Sequence, residues 1–411
     1  MGVQRLAVAL FALASVLSCV TSAPVTGSSA IESPKSEAPK TYDVIVVGGG
    51  PAGLSTLSSL GRVRRNALLF DSGYYRNGVT RHIHDIITDD GIVPSEFRKK
   101  AREQISRYDT TSIKDVKVTN ITKIFEDGGK KYNFLVTDMT GMTYTARKIV
   151  LGTGVRDVIP STPGLRENFG KGIYWCPWCD GWEHRDQPFG ILGRLRSVVD
   201  SVFEVRTLHK DIIAFVNGTE HNPDDIDYLN QRYPGWRERL QRYNVKINNN
   251  LITSIDRLQD GSKVYDEKNW NEYDKFRVNF EDGESVERSV FITNFPTVQA
   301  SDLPDQLGLE RDEKEWNKIK VDFRGMQSSI PGVYVVGDAN NDGSTNGVHA
   351  MFSGKRAAVR IHVQLEKEAS EASLNKRGIE FPAKQVERDA LRLIGRNLEH
   401  LEHLWDRKRK E

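Results

Sequence analysis

Cys176 and Cys179 stand three positions apart in Trp175-Cys176-Pro177-Trp178-Cys179-Asp180-Gly181. Two cysteines at this spacing can close a small-ring disulfide that thiols open readily. Pro177 suits the first turn of a helix, because it donates no N–H and its φ is preset. A helix N-terminus favours a thiolate over a thiol. Asp180 follows directly and can move a proton to or from Cys179. Two other uses of the pair are weaker. A structural disulfide over so short a loop restrains little of the unfolded chain. A zinc half-site needs two further ligands from scattered histidines, so no metal is expected.

The chain of 411 residues holds one more cysteine, Cys19. It lies in residues 1–23, which read as a secretory signal: Arg5, the apolar run Leu6 to Leu17, then Thr21, Ser22 and Ala23. A membrane-anchored N-terminus and a lipoprotein cysteine at Cys19 are the rival readings. Plain secretion leaves a mature chain whose two cysteines form one pair in an oxidising compartment. Asn120-Ile121-Thr122 and Asn217-Gly218-Thr219 are sequons, so Asn120 and Asn217 are candidate glycosylation sites. The 58 basic and 56 acidic side chains nearly cancel. That balance argues against a partner that is nucleic acid or an anionic membrane surface.

The elements that must position the pair are those of an α/β protein. Residues 24–40 are rich in Ser, Pro, Ala and Lys and read as a flexible leader. Tyr42 to Val47 is a β-branched run of the kind found in buried parallel strands. Gly48-Gly49-Gly50-Pro51-Ala52-Gly53 follows, then a helical stretch with Leu54, Leu57 and Leu60, then a strand Ala67 to Phe70 ending at Asp71. This is a βαβ unit. Its glycines let the backbone approach a pyrophosphate at the helix N-terminus, and Asp71 is placed to accept bonds from a ribose. Lys148 to Gly154 is a second strand running into a Gly-rich turn, and Gly332 to Asp338 a third ending in Gly-Asp. A helix is expected from about Gly347 to Leu365. Ile191-Leu192-Gly193 starts another βα unit, with Val198, Val199, Val202 and Phe203 on the apolar face of its helix. The expected organisation is a discontinuous first domain (41–157 and 298–366), an inserted second domain (158–297) and a charged helical tail (367–411).

Gly48 to Gly53, Gly152-Thr153-Gly154, the CxxC-Asp of 176–180 and Gly337-Asp338 occur in the order seen in low-molecular-weight thioredoxin reductases, which this chain resembles over most of 41–366. The resemblance implies two Rossmann-like nucleotide-binding domains of the class II pyridine nucleotide-disulfide oxidoreductase type, and an FAD in the first. It places Gly48, Gly50, Ala52, Gly53 and Asp71 at the adenine end of FAD, with Gly154 in the second glycine turn. Gly337 and Asp338 fall at the ribityl–phosphate region, and Asn346 and Val348 at the flavin pyrimidine. It implies that Cys179 sits nearer the flavin and Cys176 faces the substrate. A homodimer is implied by the resemblance only.

Against the nucleotide fingerprint, Gly193 keeps the first glycine, but Leu195 stands at the second position and Val198 at the third. A leucine side chain there is expected to block the close approach of a pyrophosphate. The strand Asp211 to Val216 ends in Asn217-Gly218, without a basic cluster for a 2′-phosphate. The second domain therefore reads as a nucleotide scaffold without its ligand. With Arg76-Asn77, His84 and Asp90-Gly91, this resembles the fungal sulfhydryl oxidase and dithiol oxidase branch of these flavoproteins. The expectation is a secreted FAD-dependent thiol oxidase that passes electrons from a small thiol or dithiol to oxygen, giving hydrogen peroxide. Its base is Asp180, or a histidine such as His84 or His349. The alternative is an NADPH-dependent thioredoxin reductase-like disulfide reductase. A third reading is a non-catalytic flavin-binding protein.

Overall fold

The strand Lys40–Val47 buries Val44, Ile45, Val46 and Val47 at its C-terminal end. It pairs in parallel with Ala67–Phe70 on one side and with Thr143–Leu151 on the other. Buried on both faces, it has no use for polar alternation, which is why its sequence is a continuous β-branched run. A computed structural model of the chain describes residues 40–126 and 131–375. The leader and signal residues, and the tail beyond residue 375, lie outside the described residues.

The first sheet has nine strands. Its main path runs Val321–Asp322, Gln327–Ser328, Val333–Val335, Thr143–Leu151, Lys40–Val47, Ala67–Phe70 and Thr111–Lys114. The chain leaves Lys40–Val47 to one side and returns on the other, so the strand order reverses there. Loops at such a switch point diverge and leave a crevice beyond the strand ends. The turns Gly48–Gly50 and Gly152–Gly154 therefore stand side by side. Gly48 has φ +117°, and a Cβ on it would lie 2.2 Å from the Gly152 carbonyl oxygen. No residue with a side chain fits between the two turns.

The helix Pro51–Arg62 starts with Pro51 in its first turn and buries Leu54, Leu57 and Leu60 on the sheet. Helix Gly347–Asn375 lies along it: a Cβ on Gly354 would come within 2.3 Å of the Ala52 carbonyl oxygen. That helix runs ten residues past the expected end at Leu365. Its apolar period stops there, but Glu366 pairs with Arg65, and Glu368 with Lys148 and Arg147. These ion pairs join the extra turns to the interior strand Thr143–Leu151 and to the turn before Ala67–Phe70, and no local periodicity announces them.

The second sheet is parallel and five-stranded, ordered Val245–Asn248, Ile212–Phe215, Phe189–Leu192, Val290–Thr293 and Ile173–Tyr174. An antiparallel sheet of Ile252–Gln259, Lys275–Phe280 and Ser285–Arg288 accompanies it. The chain passes between the two units through an antiparallel ribbon, Val155–Asp157 with Thr297–Gln299. Helix Val198–Val205 buries Val198, Val199, Val202 and Val205. Phe203, expected inside, is exposed, because at about 100° per residue it falls beyond the arc that Val198, Val202 and Val205 bury. Among the described residues no helix is long and apolar enough to cross a membrane.

Candidate active site

The two glycine turns open on a cavity of about 830 Å³. That size falls within the roughly 300–1,000 Å³ of small-molecule and cofactor sites. Gly48, Gly50 and Ala52 line it from the first turn, and Gly154 from the second. Gly337 and Asp338 line it from the end of Val333–Val335, and Asn346 and Val348 from the start of the long helix. Asn77 and His84 come from the segment after the second strand, and Cys176, Cys179 and Asp180 from the second unit. Sequence positions more than 250 apart thus meet around one space.

Three expected residues do not line it. Gly53 lies behind the turn, where a Cβ would sit 1.9 Å from the Gly48 carbonyl oxygen. Its role is close packing of helix on strand. Asp71 is buried, and its carboxylate accepts from the Tyr75 hydroxyl at 2.7 Å, Arg102 Nη2 at 3.0 Å and Gly73 N–H at 2.9 Å. Burial and the bond to Asp71 push the Tyr75 phenol up to about 12. His349 bonds through its Nε2 to Asp342 Oδ2 at 2.6 Å.

The cysteines form a closed Cys176–Cys179 disulfide. Cys176 caps a one-turn helix, Pro177–Asp180, with Pro177 in its first position. Both cysteines are half-buried. Asp180 is buried beside them. Burial raises its carboxyl well above the usual range, Glu183 and Glu272 add to the rise, and Arg81 opposes it. Burial and the neighbouring carboxylates thus favour the neutral form of Asp180 over the charged one. Glu183 carries no motif signal in the sequence. It is buried, its carboxyl is also raised by burial, and the nearby His84 opposes that rise. His84 Nε2 stands 3.6 Å from Glu183 Oε1, and His84 Nδ1 stands 3.5 Å from Asp90 Oδ1. Glu183, Asp90 and the His84 imidazole thus form one cluster, and Glu183 is near enough to Asp180 to raise its carboxyl.

Trp175 stacks on Phe169 at 4.9 Å, with the Arg76 guanidinium 5.0 Å from its ring centre. Trp178 is two-thirds exposed at the cavity mouth. Trp182 is exposed and stacks with Arg185, outside the cavity lining. Arg76 binds Asp157 through two nitrogens, at 2.9 and 2.7 Å, and reaches Asp338 at 3.0 Å. His184, Glu272 and Asp274 converge closely enough to suggest metal ligands among the described residues. The Arg81 and Arg257 guanidinium groups already bond into that carboxylate cluster, so it carries its own cations.

The cavity suits a dinucleotide on its own chemistry. A Cβ on Gly50 would meet no protein atom within 4 Å, so its bare backbone faces the cavity. Thr153 Oγ1, in the second glycine turn, is buried without a protein partner. Similarity to known proteins agrees. A family model described as pyridine nucleotide-disulphide oxidoreductase matches residues 42–199. A protein of Arthroderma benhamiae named "Probable thioredoxin reductase" is 69% identical over 408 residues, 99% of this chain and 100% of that one. The chain belongs to the pyridine nucleotide-disulphide oxidoreductase family, among its thioredoxin reductase-like members. Thioredoxin reductase tcpT of Claviceps purpurea is 31% identical over 330 residues, 79% of this chain and 94% of that one. The crystal structure of HlmI matches with a TM-score of 0.70 at 28% identity, covering 82% of this chain and 96% of that one. Members of this family are FAD flavoproteins, and this chain is an FAD-binding oxidoreductase.

Two expectations are corrected. The oxygen-dependent thiol oxidase gives way, because the relatives that match 99% and 79% of the chain are named a probable thioredoxin reductase and a thioredoxin reductase. The supposed obstacle to a nicotinamide nucleotide also disappears. Leu195 is fully buried, packed with Val198, Val199 and Val202, and does not project into a cleft. Its N–H donates to Thr219 Oγ1 at 3.0 Å. Arg194 forms a bidentate pair with the buried Asp225, and Arg196 stacks on Tyr228. The sequence alignment of glycines could not show which way the leucine points. Asn120 is exposed on Val118–Glu126, and Asn217 on the turn after Ile212–Phe215.

Proposed function

We propose that the chain is an NADPH-dependent disulfide reductase of thioredoxin reductase type. The observation that carries this reading is the closed Cys176–Cys179 disulfide lining the flavin-type cavity. It occurs in a chain 69% identical to a probable thioredoxin reductase. Arg196, exposed in the turn after Phe189–Leu192, offers a guanidinium suited to a nucleotide phosphate, and Arg194 beside it is held by Asp225. FAD, when bound, supplies a carrier for two electrons between the nucleotide and the disulfide.

The remaining chemistry belongs to the chain. Once the pair is reduced, Cys176 as thiolate attacks one sulfur of a substrate disulfide, and one substrate thiolate leaves. Cys179 as thiolate then attacks Cys176, the Cys176–Cys179 bond re-forms, and the second substrate thiolate leaves. Asp180 supplies a proton to a departing thiolate, and His84 with Glu183 returns one from solvent. The sum is NADPH, a proton and a disulfide going to NADP⁺ and two thiols.

Anaerobic addition of NADPH to the FAD-loaded protein should bleach the visible flavin absorbance, and a disulfide substrate should restore it. A flavin that dithionite bleaches but neither NADPH nor NADH does would defeat this reading.

A further inference from the structure

The disulfide helix belongs to the second unit, whereas most of the cavity belongs to the first. The chain itself joins the units only through the ribbon of Val155–Asp157 and Thr297–Gln299. Holding the disulfide against the cavity therefore requires side chains. Arg81 lies in the first unit, between strand Ala67–Phe70 and helix Pro94–Ile105. Its segment is fastened there by the packing of Ile83, Ile86, Ile92 and Phe97. Its guanidinium, about one-tenth exposed, reaches three carboxylates of the second unit. Nη1 donates to Asp274 Oδ2 at 2.7 Å and to Glu272, and Nη2 donates to Asp260 Oδ1 at 2.7 Å and Asp274 Oδ1 at 3.0 Å.

The connection continues to the disulfide. Asp274 is fully buried, and its Oδ2 meets His184 Nε2 at 3.1 Å. His184 Nδ1 meets the Asp180 carbonyl oxygen at 3.0 Å, in the helix that carries Cys179. Asp274 also binds Arg257 and the Gly261 N–H, so it keeps partners and a fixed place in its own unit.

We propose that Arg81 is a positioning residue that holds the Cys176–Cys179 helix at electron-transfer distance from bound FAD. It acts through Asp274 and His184 and touches neither sulfur nor substrate. The inference rests on the reading above only in taking the disulfide to exchange electrons with FAD. Its planar fork answers several carboxylate oxygens at once, which a lysine cannot do.

The test separates two routes to the flavin. A dithiol such as dithiothreitol reduces it through Cys176 and Cys179, whereas NADPH does not need the pair. In the FAD-loaded Arg81→Gln protein, anaerobic bleaching by dithiothreitol should slow by about 10²-fold, as expected for a small misplacement of reacting groups. FAD content should stay as in the parent, and bleaching by NADPH should not slow. Arg81→Lys should recover part of the dithiol rate. Unchanged dithiol bleaching, or equal slowing of both routes, would overturn the proposal. If Arg81→Gln fails to fold, Asp260→Asn removes one partly exposed partner and should slow the dithiol route several-fold by the same criterion; no slowing there overturns it. A parent protein blind to NADPH but bleached by dithiothreitol would defeat the reductase reading, and the dithiol comparison would still decide on Arg81 against FAD content and fold.

Discussion

At the residue scale, Asp180 shows how burial changes what a side chain does. Its place next to the disulfide in sequence makes it a candidate proton carrier by proximity alone. In the fold it is buried, with Glu183 and Glu272 near, and its carboxyl stays protonated well above its usual range. Asp180→Asn should lower disulfide reductase turnover by about 10²- to 10⁴-fold with FAD retained, as steady-state assays would show. The linkage has a definite sign. The folded pKa lies above the unfolded one, so the neutral carboxyl favours the fold fully below the unfolded pKa. That contribution is lost as pH rises through the folded pKa. The Asn variant cannot ionise. Its melting temperature should therefore gain on the parent's as pH is raised, and the gap should close on the acid side. A gap independent of pH would show that Asp180 is charged in the folded protein.

At the element scale, the turn after Phe189–Leu192 carries the clearest lesson. Its sequence departs from the glycine fingerprint, and the departure faces the core. Leu195 fills space beside Val198, Val199 and Val202. Leu195→Ala should cost roughly 2–5 kcal/mol, measured by urea unfolding, because it leaves a cavity in that core. It should not speed reduction of the flavin by NADPH, since no cleft is being unblocked. A faster reduction with unchanged stability would restore Leu195 as an obstacle to the nucleotide. The long C-terminal helix teaches a related point. Its last described turns are joined by Glu366 and Glu368 to Arg65, Arg147 and Lys148, partners some 220 to 300 residues earlier.

At the scale of the whole molecule, the cavity is built by both units, so cofactor, disulfide and fold are coupled. A ligand that binds only the folded state stabilises it by about 2.7 kcal/mol at a hundredfold excess over its Kd. Adding FAD to the protein stripped of flavin should raise its melting temperature by several degrees, followed by circular dichroism. No rise would mean that the glycine turns do not hold the dinucleotide in this chain.

The parts of this protein that depend on neighbours in the chain are legible in the amino-acid order. The βαβ unit at 42–71 followed from a β-branched run, a glycine turn and leucines at helical spacing. The redox pair followed from Cys176, Pro177 and Cys179 within four positions. Both are local signals, because hydrogen bonds and small-ring closure act over a few residues. Where side chains point and whom they meet is set by the three-dimensional fold. It turned Leu195 inward, His349 toward Asp342, and the Asp71 carboxylate toward Tyr75 and Arg102. It also brought Arg81 to Asp274 across nearly two hundred residues. Such pairs are set by how sheets and crossovers fold the chain in space, and no spacing within a motif encodes them.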